Sequence, residues 1–292
     1  MKTLSSRRPV YIVDGSRTPF LKARGQPGPF KAAELALAAA KPLMLRQPFS
    51  AEDFDEVILG CVYSGPDEAN IARVVALRLG CGEKVPAWTV QRNCASGLQS
   101  IDSGFQAIAE GRADLILAGG AESMSHTPLL WKEDMVVWLA NWNRAKSFGG
   151  KLKMLGRLKL KNMAPVIALI KGLSDQVVGM SMGETAEKIA YRFGITRQQM
   201  DEYAVRSHLR LHAAHEQGLL DEIEPLFDRQ GNAYDFDDGV RPDSSVEKLA
   251  KLKPVFDRKF GQVTAGNSAQ ITDGAAWVIL ASEDTVEKHQ LP

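Results

Sequence analysis

The chain has 292 residues, 45% of them apolar, enough for one large α/β domain or two smaller ones with a sizeable core. A formal net charge of +1 gives no global basic field and argues against nucleic acid as a partner. Three widely spaced cysteines give neither a disulfide framework nor a paired zinc knuckle and fit a reducing, cytosol-like compartment; Met1 to Pro9 is followed by no signal-peptide apolar run, and no stretch is apolar for long enough to span a bilayer.

In chain order, Val10-Tyr11-Ile12-Val13 reads as a buried strand closed by Asp14-Gly15, and Lys31 to Leu45, rich in Ala and Leu, as a helix. Val57 to Val62 is a second strand, and Asn70 to Leu79 a helix that Gly80 is placed to end. Ala87-Trp88-Thr89-Val90 is a third strand and runs directly into Cys94. Leu98, Ile101, Phe105 and Ile108 then recur at helical spacing as far as Gly111. Leu115 to Gly120 is a buried strand leading into a loop. This alternation predicts a layered α/β sheet. It breaks after Ala121: two long helical segments follow, one starting at Thr196-Arg197-Gln198-Gln199 with capping-box spacing and running towards Gly218. Strand patterning resumes at Gly261 to Thr264 and at Ala275 to Leu280. The expected organisation is therefore a sheet domain over residues 8–121 and 244–285, with a mostly helical domain inserted at 122–243.

A cysteine between a buried strand and a helix start suits nucleophilic work. The helix N-terminus favours a thiolate, and its free N–H groups can hold an oxyanion. Ala95, Ser96 and Gly97 are small enough to let a substrate come close. The competing reading is that Cys94 is a small buried hydrophobe; for Cys61, in an apolar strand, and Cys81, beside Gly82, that structural reading is the favoured one.

Several segments, in order over nearly the whole chain, resemble the thiolase family of 3-ketoacyl-CoA thiolases and acetyl-CoA acyltransferases: Asp14 to Phe20, Asn93-Cys94-Ala95-Ser96-Gly97, Ala118 to Ser125, Met182 to Glu187, Thr264 to Ser268 and Asp273 to Ala276. The resemblance implies the N-terminal α/β/α half of a thiolase-like layered fold with a helical loop-domain insertion. It implies that Cys94 attacks the 3-keto carbon of a 3-ketoacyl-CoA in fatty-acid β-oxidation, releases acetyl-CoA and passes the shortened acyl chain to coenzyme A. Coenzyme A is then a co-substrate, with no permanently bound cofactor and no metal. By motif match, Arg241 falls near the adenine and phosphate end of CoA, Met182 at the acyl or pantetheine tunnel, and Ala265, Asn267 and Ser268 along the pantetheine arm. Many family members have serine where this chain has Ala269, a difference for which Ser268 is a substitute.

The family's remaining catalytic motifs, of Asn-Glu-Ala, Gly-His-Pro and Cys-x-Gly-Gly-Gly type, do not occur in these 292 residues. The expectation is an N-terminal half only. Alone, it is expected to be inactive or nearly so for want of an acid and a base, and to expose an apolar face that favours a homodimer or tetramer.

From Arg144 to Lys171 the chain carries no acidic residue. Arg144, Lys151, Lys153, Arg157, Lys159 and Lys161 are interleaved there with apolar residues, after Trp131, Trp138 and Trp142. The pattern suits a helix lying in a membrane interface or a surface that docks a protein; a solvated basic face and a funnel for CoA phosphates remain open beside it. An insertion of this kind is similar to the thiolase β-subunit type of the fatty-acid-oxidation trifunctional complex. That resemblance implies medium- or long-chain substrates, an α-subunit with hydratase and dehydrogenase activities, and a cytoplasmic protein with peripheral contact at the inner face of the membrane.

His208, His212 and His215 share a helix face but have no acidic or cysteine partner, so a solvated face is favoured over a metal site. Asp235, Asp237 and Asp238 lack the terminal Glu of a calcium loop and read as a surface turn. Two classes remain: an acyltransferase acting through a Cys94 acyl-enzyme, or a non-catalytic thiolase-like module that binds CoA or lipid or serves in assembly.

Overall fold

The computed structural model describes residues 8–292; residues 1–7, part of the segment read above for a signal peptide, lie outside the described residues. In chain order the elements are β1 (Val10–Arg17), β2 (Leu21–Lys22), α1 (Ala32–Leu45), β3 (Glu56–Gly60), α2 (Ile71–Leu79), β4 (Ala87–Val90), α3 (Ser96–Ala109) and β5 (Leu115–Ser123). There follow β6 (Leu129–Leu130), α4 (Glu133–Arg144), α5 (Phe148–Leu155), β7 (Val166–Ile167), α6 (Ala168–Gly172), α7 (Met182–Phe193) and α8 (Arg197–Glu216). The last are β8 (Leu226–Phe227), β9 (Ala233–Tyr234), α9 (Val246–Ala250), β10 (Thr272–Ser282) and α10 (Glu283–His289).

Two compact units result. The first holds the residues up to His126, Arg197–Leu252 and Thr264–Pro292; the second holds Thr127–Thr196 and Lys253–Val263. The segment expected as one insertion thus divides, and α8 groups with the sheet. One reason is local: Arg17, at the end of β1, donates its N–H to the Glu222 carbonyl and accepts from the Glu224 N–H, both 2.8 Å.

The first unit is built on a mixed sheet ordered β1-β10-β5-β3-β4, with β2 on β10; β3 runs parallel to β4 and β5, and β10 antiparallel to β1 and β5. Its central strands are apolar on both faces, as strands covered on both sides must be. Alternate residues divide between two cores. Val57 and Leu59 of β3, Leu115 and Leu117 of β5 and Trp277 and Ile279 of β10 join the core formed with α1 and α2. Ile58, Ile116, Ala118 and Leu280 meet Ala107 and Ile108 of α3 on the other face. The Ala-rich face of α1 lies close enough for the Trp277 indole to donate to the Ala36 carbonyl at 2.8 Å.

Helix α3 forms where its spacing predicts, but it buries only part of the large apolar stripe, Ile108 fully and Ile101 in part. Ser100, Gly104, Ala107 and Ile108 face the sheet, while Leu98 is 69% and Phe105 38% exposed. Close approach selects small residues: a Cβ on Gly104 would sit 2.8 Å from Leu280 Cδ1. At the start of the helix the fit is tighter. A Cβ on Gly60 would overlap the backbone of Ser96 and Gly97, and one on Gly120 would come within 3.0 Å of the Gly97 Cα.

Two further sequence expectations are corrected. Gly261 to Thr264 is not a strand. The amides of Gln262 and Val263 donate to the Glu187 carboxylate at 2.9 and 2.8 Å, and that of Thr264 to Asn267 Oδ1 at 2.7 Å, so side chains replace a strand partner. Nor is the aspartate cluster a surface turn. Asp237 is buried and takes both Nη atoms of Arg17 at 2.9 and 3.1 Å and the Phe20 amide at 2.7 Å, while Asp238 takes the Lys22 amide and Arg24.

In the second unit β6 pairs with β7, and α7 carries a capping box: Ser181 Oγ accepts the Glu184 N–H while the Glu184 carboxylate accepts the Ser181 N–H at 2.7 Å.

Because Gly60 meets backbone rather than a movable side chain, Gly60→Ala is expected to destabilise the chain by about 3 kcal/mol, the upper range of overpacking effects. Urea unfolding monitored by circular dichroism checks this; a midpoint equal to that of the wild type would show that the helix start has room to move.

Candidate active site

Strand β4 ends at Val90 and the chain turns into α3 within a few residues. Ser96 Oγ staples this turn, accepting the Arg92 N–H at 2.8 Å and donating to the Asn93 carbonyl at 2.6 Å. Asn93 adopts φ +48°, in the left-handed region that asparagine enters more readily than most residues. Cys94 comes next, with Ala95 as the N-cap of α3. The first helical bond runs from the Gln99 N–H to the Ala95 carbonyl at 2.8 Å. Among the described residues the Gly97 and Leu98 N–H groups have no acceptor, which leaves a pair of first-turn donors beside the cysteine.

Cys94 is exposed, whereas Cys61 and Cys81 are buried. Burial pushes the Cys81 thiol up to about 11, and burial together with Glu122 pushes that of Cys61 higher still. Both are inert at neutral pH. Among the described residues no side chain hydrogen-bonds to the Cys94 thiol, so the turn presents an exposed thiol and amide donors without an adjacent base.

The Thr264 to Ser268 segment is a tight turn. Thr264 Oγ1 accepts the Gly266 N–H at 3.2 Å, and Ser268 Oγ donates to the Thr264 carbonyl at 2.6 Å, so that hydroxyl is already engaged in its own turn. Asn267 is half-buried; its side chain donates to Asp201 at 2.9 Å. Asp201, only 1% exposed, is paired with Arg197 at 2.8 Å, and Arg197 also donates to the Leu249 and Leu252 carbonyls. Ala265 is left exposed at the tip. Sequence reasoning missed this Arg197–Asp201 anchor, although its spacing of four on a predicted helix was a usable signal.

Arg241 is exposed, and its amide donates to His208 Nδ1 at 3.3 Å. Burial and the Arg241 charge hold that imidazole below its usual range. His215 packs against Phe236 with ring centroids 5.8 Å apart, and no group of His, Cys, Asp or Glu suited to a metal ion occurs among the described residues. Within the first unit, Arg241 is joined to α8 through His208 and Asn267 to α8 through Asp201, while no hydrogen bond or ion pair joins Cys94 to either.

Met182 and the basic residues lie in the second unit. Met182 is 46% exposed at the first position of α7. The basic stretch is not one long helix: α4 ends at Arg144, α5 spans eight residues, and Lys159 and Lys161 fall in and beside a single 3-10 turn. Trp138 and Trp142 stack at 5.4 Å, Trp138 donates to the Met154 carbonyl at 2.8 Å, and Lys151 sits over Trp142 at 5.8 Å. Among the described residues none of Arg144, Lys151, Lys153, Arg157, Lys159 and Lys161 pairs with a carboxylate, while Phe148, Leu152 and Leu160 stand exposed between them. Among the described residues no helix is long and apolar enough to cross a membrane.

Comparison with known proteins matches residues 10–284 to the family described as thiolase, N-terminal domain. The human mitochondrial trifunctional enzyme subunit beta is 36% identical over 277 residues, 95% of this chain and 58% of that protein. The 3-ketoacyl-CoA thiolase of Yersinia pestis (strain Pestoides F) is 36% identical over 285 residues, 97% of this chain and 65% of that one. The crystal structure of human mitochondrial 3-ketoacyl-CoA thiolase superposes with a TM-score of 0.83 at 36% identity, covering 99% of this chain and 69% of the other; one such structure is in complex with CoA. The chain thus spans less than two thirds of the length of the curated relatives it matches. With the nucleophile turn, the layered sheet and the Thr264 to Ser268 turn in place, the chain belongs to the thiolase family and carries its N-terminal domain.

Proposed function

We propose that the chain supplies the nucleophile of a 3-ketoacyl-CoA thiolase, an acyltransferase of fatty-acid β-oxidation acting on medium- or long-chain substrates. The observation that carries this reading is the exposed Cys94 thiol beside two unpartnered amides at the start of α3. The Cys94 sulfur attacks the 3-keto carbon, and the amides stabilise the oxygen as it becomes an anion. The bond between the keto carbon and its α-carbon breaks. The α-carbon, with the thioester to CoA, takes a proton and leaves as acetyl-CoA. A CoA thiol then attacks the acyl-Cys94 carbonyl, giving the shortened acyl-CoA and returning the proton to Cys94. Arg241, Ala265, Asn267 and Ser268, with Met182 of the second unit, are the proposed CoA contacts.

The second part of the reading concerns partners. Unpaired lysines and arginines among exposed Phe148, Leu152 and Leu160 support contact with an anionic membrane surface at the inner face of a cytoplasmic membrane. Similarity to a trifunctional beta subunit supports an α-subunit partner with hydratase and dehydrogenase activities.

Incubation with acetyl-CoA or 3-ketohexadecanoyl-CoA is expected to leave one acyl adduct on Cys94 by intact and peptide mass spectrometry, and none in Cys94→Ser. CoA binding without any adduct would make the chain a non-catalytic CoA-binding module. With no base at the thiol, turnover of acetoacetyl-CoA by the 292-residue chain is expected to lie about 10²–10⁴-fold below that of a full-length relative assayed alongside, the usual contribution of acid–base catalysis; parity between the two would sink this expectation. Vesicles containing phosphatidylserine are expected to float the chain at low salt, and Lys151→Glu with Lys153→Glu to weaken flotation. Equal recovery with neutral vesicles would remove the membrane reading.

A further inference from the structure

Glu122 is a half-buried carboxylate whose contacts have no role in the scheme above. Even-numbered residues of β5 face α3: Ile116 and Ala118 pack in the α3 core and Gly120 meets Gly97. Glu122 continues that face by one pleat, beyond the point where α3 begins. Its oxygens accept the Val62 N–H at 2.8 Å and the Tyr63 N–H at 3.1 Å, the two residues that follow Cys61 after β3. Cys61 itself donates its amide to Val90, the last residue before the Cys94 turn, at 3.2 Å. The segments leaving β3, β4 and β5 thus emerge together from the carboxyl edge of the parallel strands, where open α/β sheets place their ligands. Burial raises the carboxyl above its usual range, and the two amide bonds act against that shift.

We propose that Glu122 is a positioning residue for the Cys94 site: by clamping the amides of Val62 and Tyr63 it fixes the loop after β3 at the mouth through which an acyl thioester approaches the thiol. The idea rests on the acyl-enzyme reading above. The step it governs is attack of the Cys94 sulfur on the thioester carbonyl, forming an enzyme thioester while the carbon–sulfur bond to CoA breaks and CoA leaves as the thiol with the proton lost by Cys94. Gln at this position keeps one acceptor oxygen and sets its NH₂ against the other amide donor; Ala removes both acceptors.

The experiment compares wild type, Glu122→Gln and Glu122→Ala for two reactions of Cys94, read by mass spectrometry: alkylation by iodoacetamide, a small probe that needs no ordered loop, and acylation by acetyl-CoA. Alkylation is expected to stay within about twofold in all three, while acylation falls about tenfold or more in Glu122→Ala, with Glu122→Gln between, as displaced approach geometry dictates. Acylation of Glu122→Ala as fast as wild type overturns the proposal alone. Equal loss of both reactions in Glu122→Gln overturns it in favour of a general structural role. A wild-type chain that is alkylated but never acylated overturns the acyl-enzyme reading and this proposal with it.

Discussion

The site depends on the contact of α3 with the ends of β3 and β5. Backbone meets backbone there: Gly60 lies against Ser96 and Gly97, and Gly120 against Gly97. A Cβ at Gly60 would overlap main chain and one at Gly120 would be tight, so the helix axis is set there by main-chain contact and not by adaptable side chains. The turn that carries Cys94 inherits that fixity. Arg92, Asn93 and Ser96 close a short hydrogen-bonded loop around Cys94, and the left-handed backbone at Asn93 turns the chain sharply enough to leave the thiol outside the core. The same geometry explains why the buried face of α3 is Ser, Gly and Ala up to Ala107, with Ile108 the first large residue on it.

A second theme is the use of carboxylates as main-chain clamps. Glu122 holds Val62 and Tyr63, Glu187 holds Gln262 and Val263, and Asp237 holds Phe20 while pairing with Arg17. Asp201 holds the Thr264 to Ser268 turn through Asn267. Each satisfies polar groups that no sheet or helix covers, and buried polar groups left unsatisfied are costly. Irregular segments within each unit are therefore ordered without forming strands.

Much of this was legible in the residues. The strand from Leu115 is apolar on both faces, and the Ala-rich helix from Ala32 has one dominant period, so both declare themselves. Asn93-Cys94-Ala95-Ser96-Gly97 announced the turn. What the sequence hid depends on contacts between distant residues. Of the stripe Leu98, Ile101, Phe105, Ile108 only Ile108 is fully buried, while Leu98 and Phe105 are exposed, because closeness of packing, invisible in one sequence, favours Gly104 over Phe105 against the sheet. Gly261 to Thr264 has strand composition, yet its donors are taken by Glu187 and Asn267. Asp237 reads as a surface turn until Arg17, far away in the chain, is brought against it.

The three cysteines show how the fold separates chemistry from packing. The same side chain is inert at positions 61 and 81, where burial disfavours its charge, and exposed at 94, where the chain turns outward at a helix start. What Cys94 lacks is equally definite: no side chain among the described residues bonds to its thiol, whereas Glu122, at the end of β5, has both oxygens occupied by amides. A carboxylate bonded in this way anchors the main chain that follows β3. The first unit therefore provides a fixed turn with an exposed thiol and amide donors, and among the described residues no side chain bonded at Cys94 offers a base.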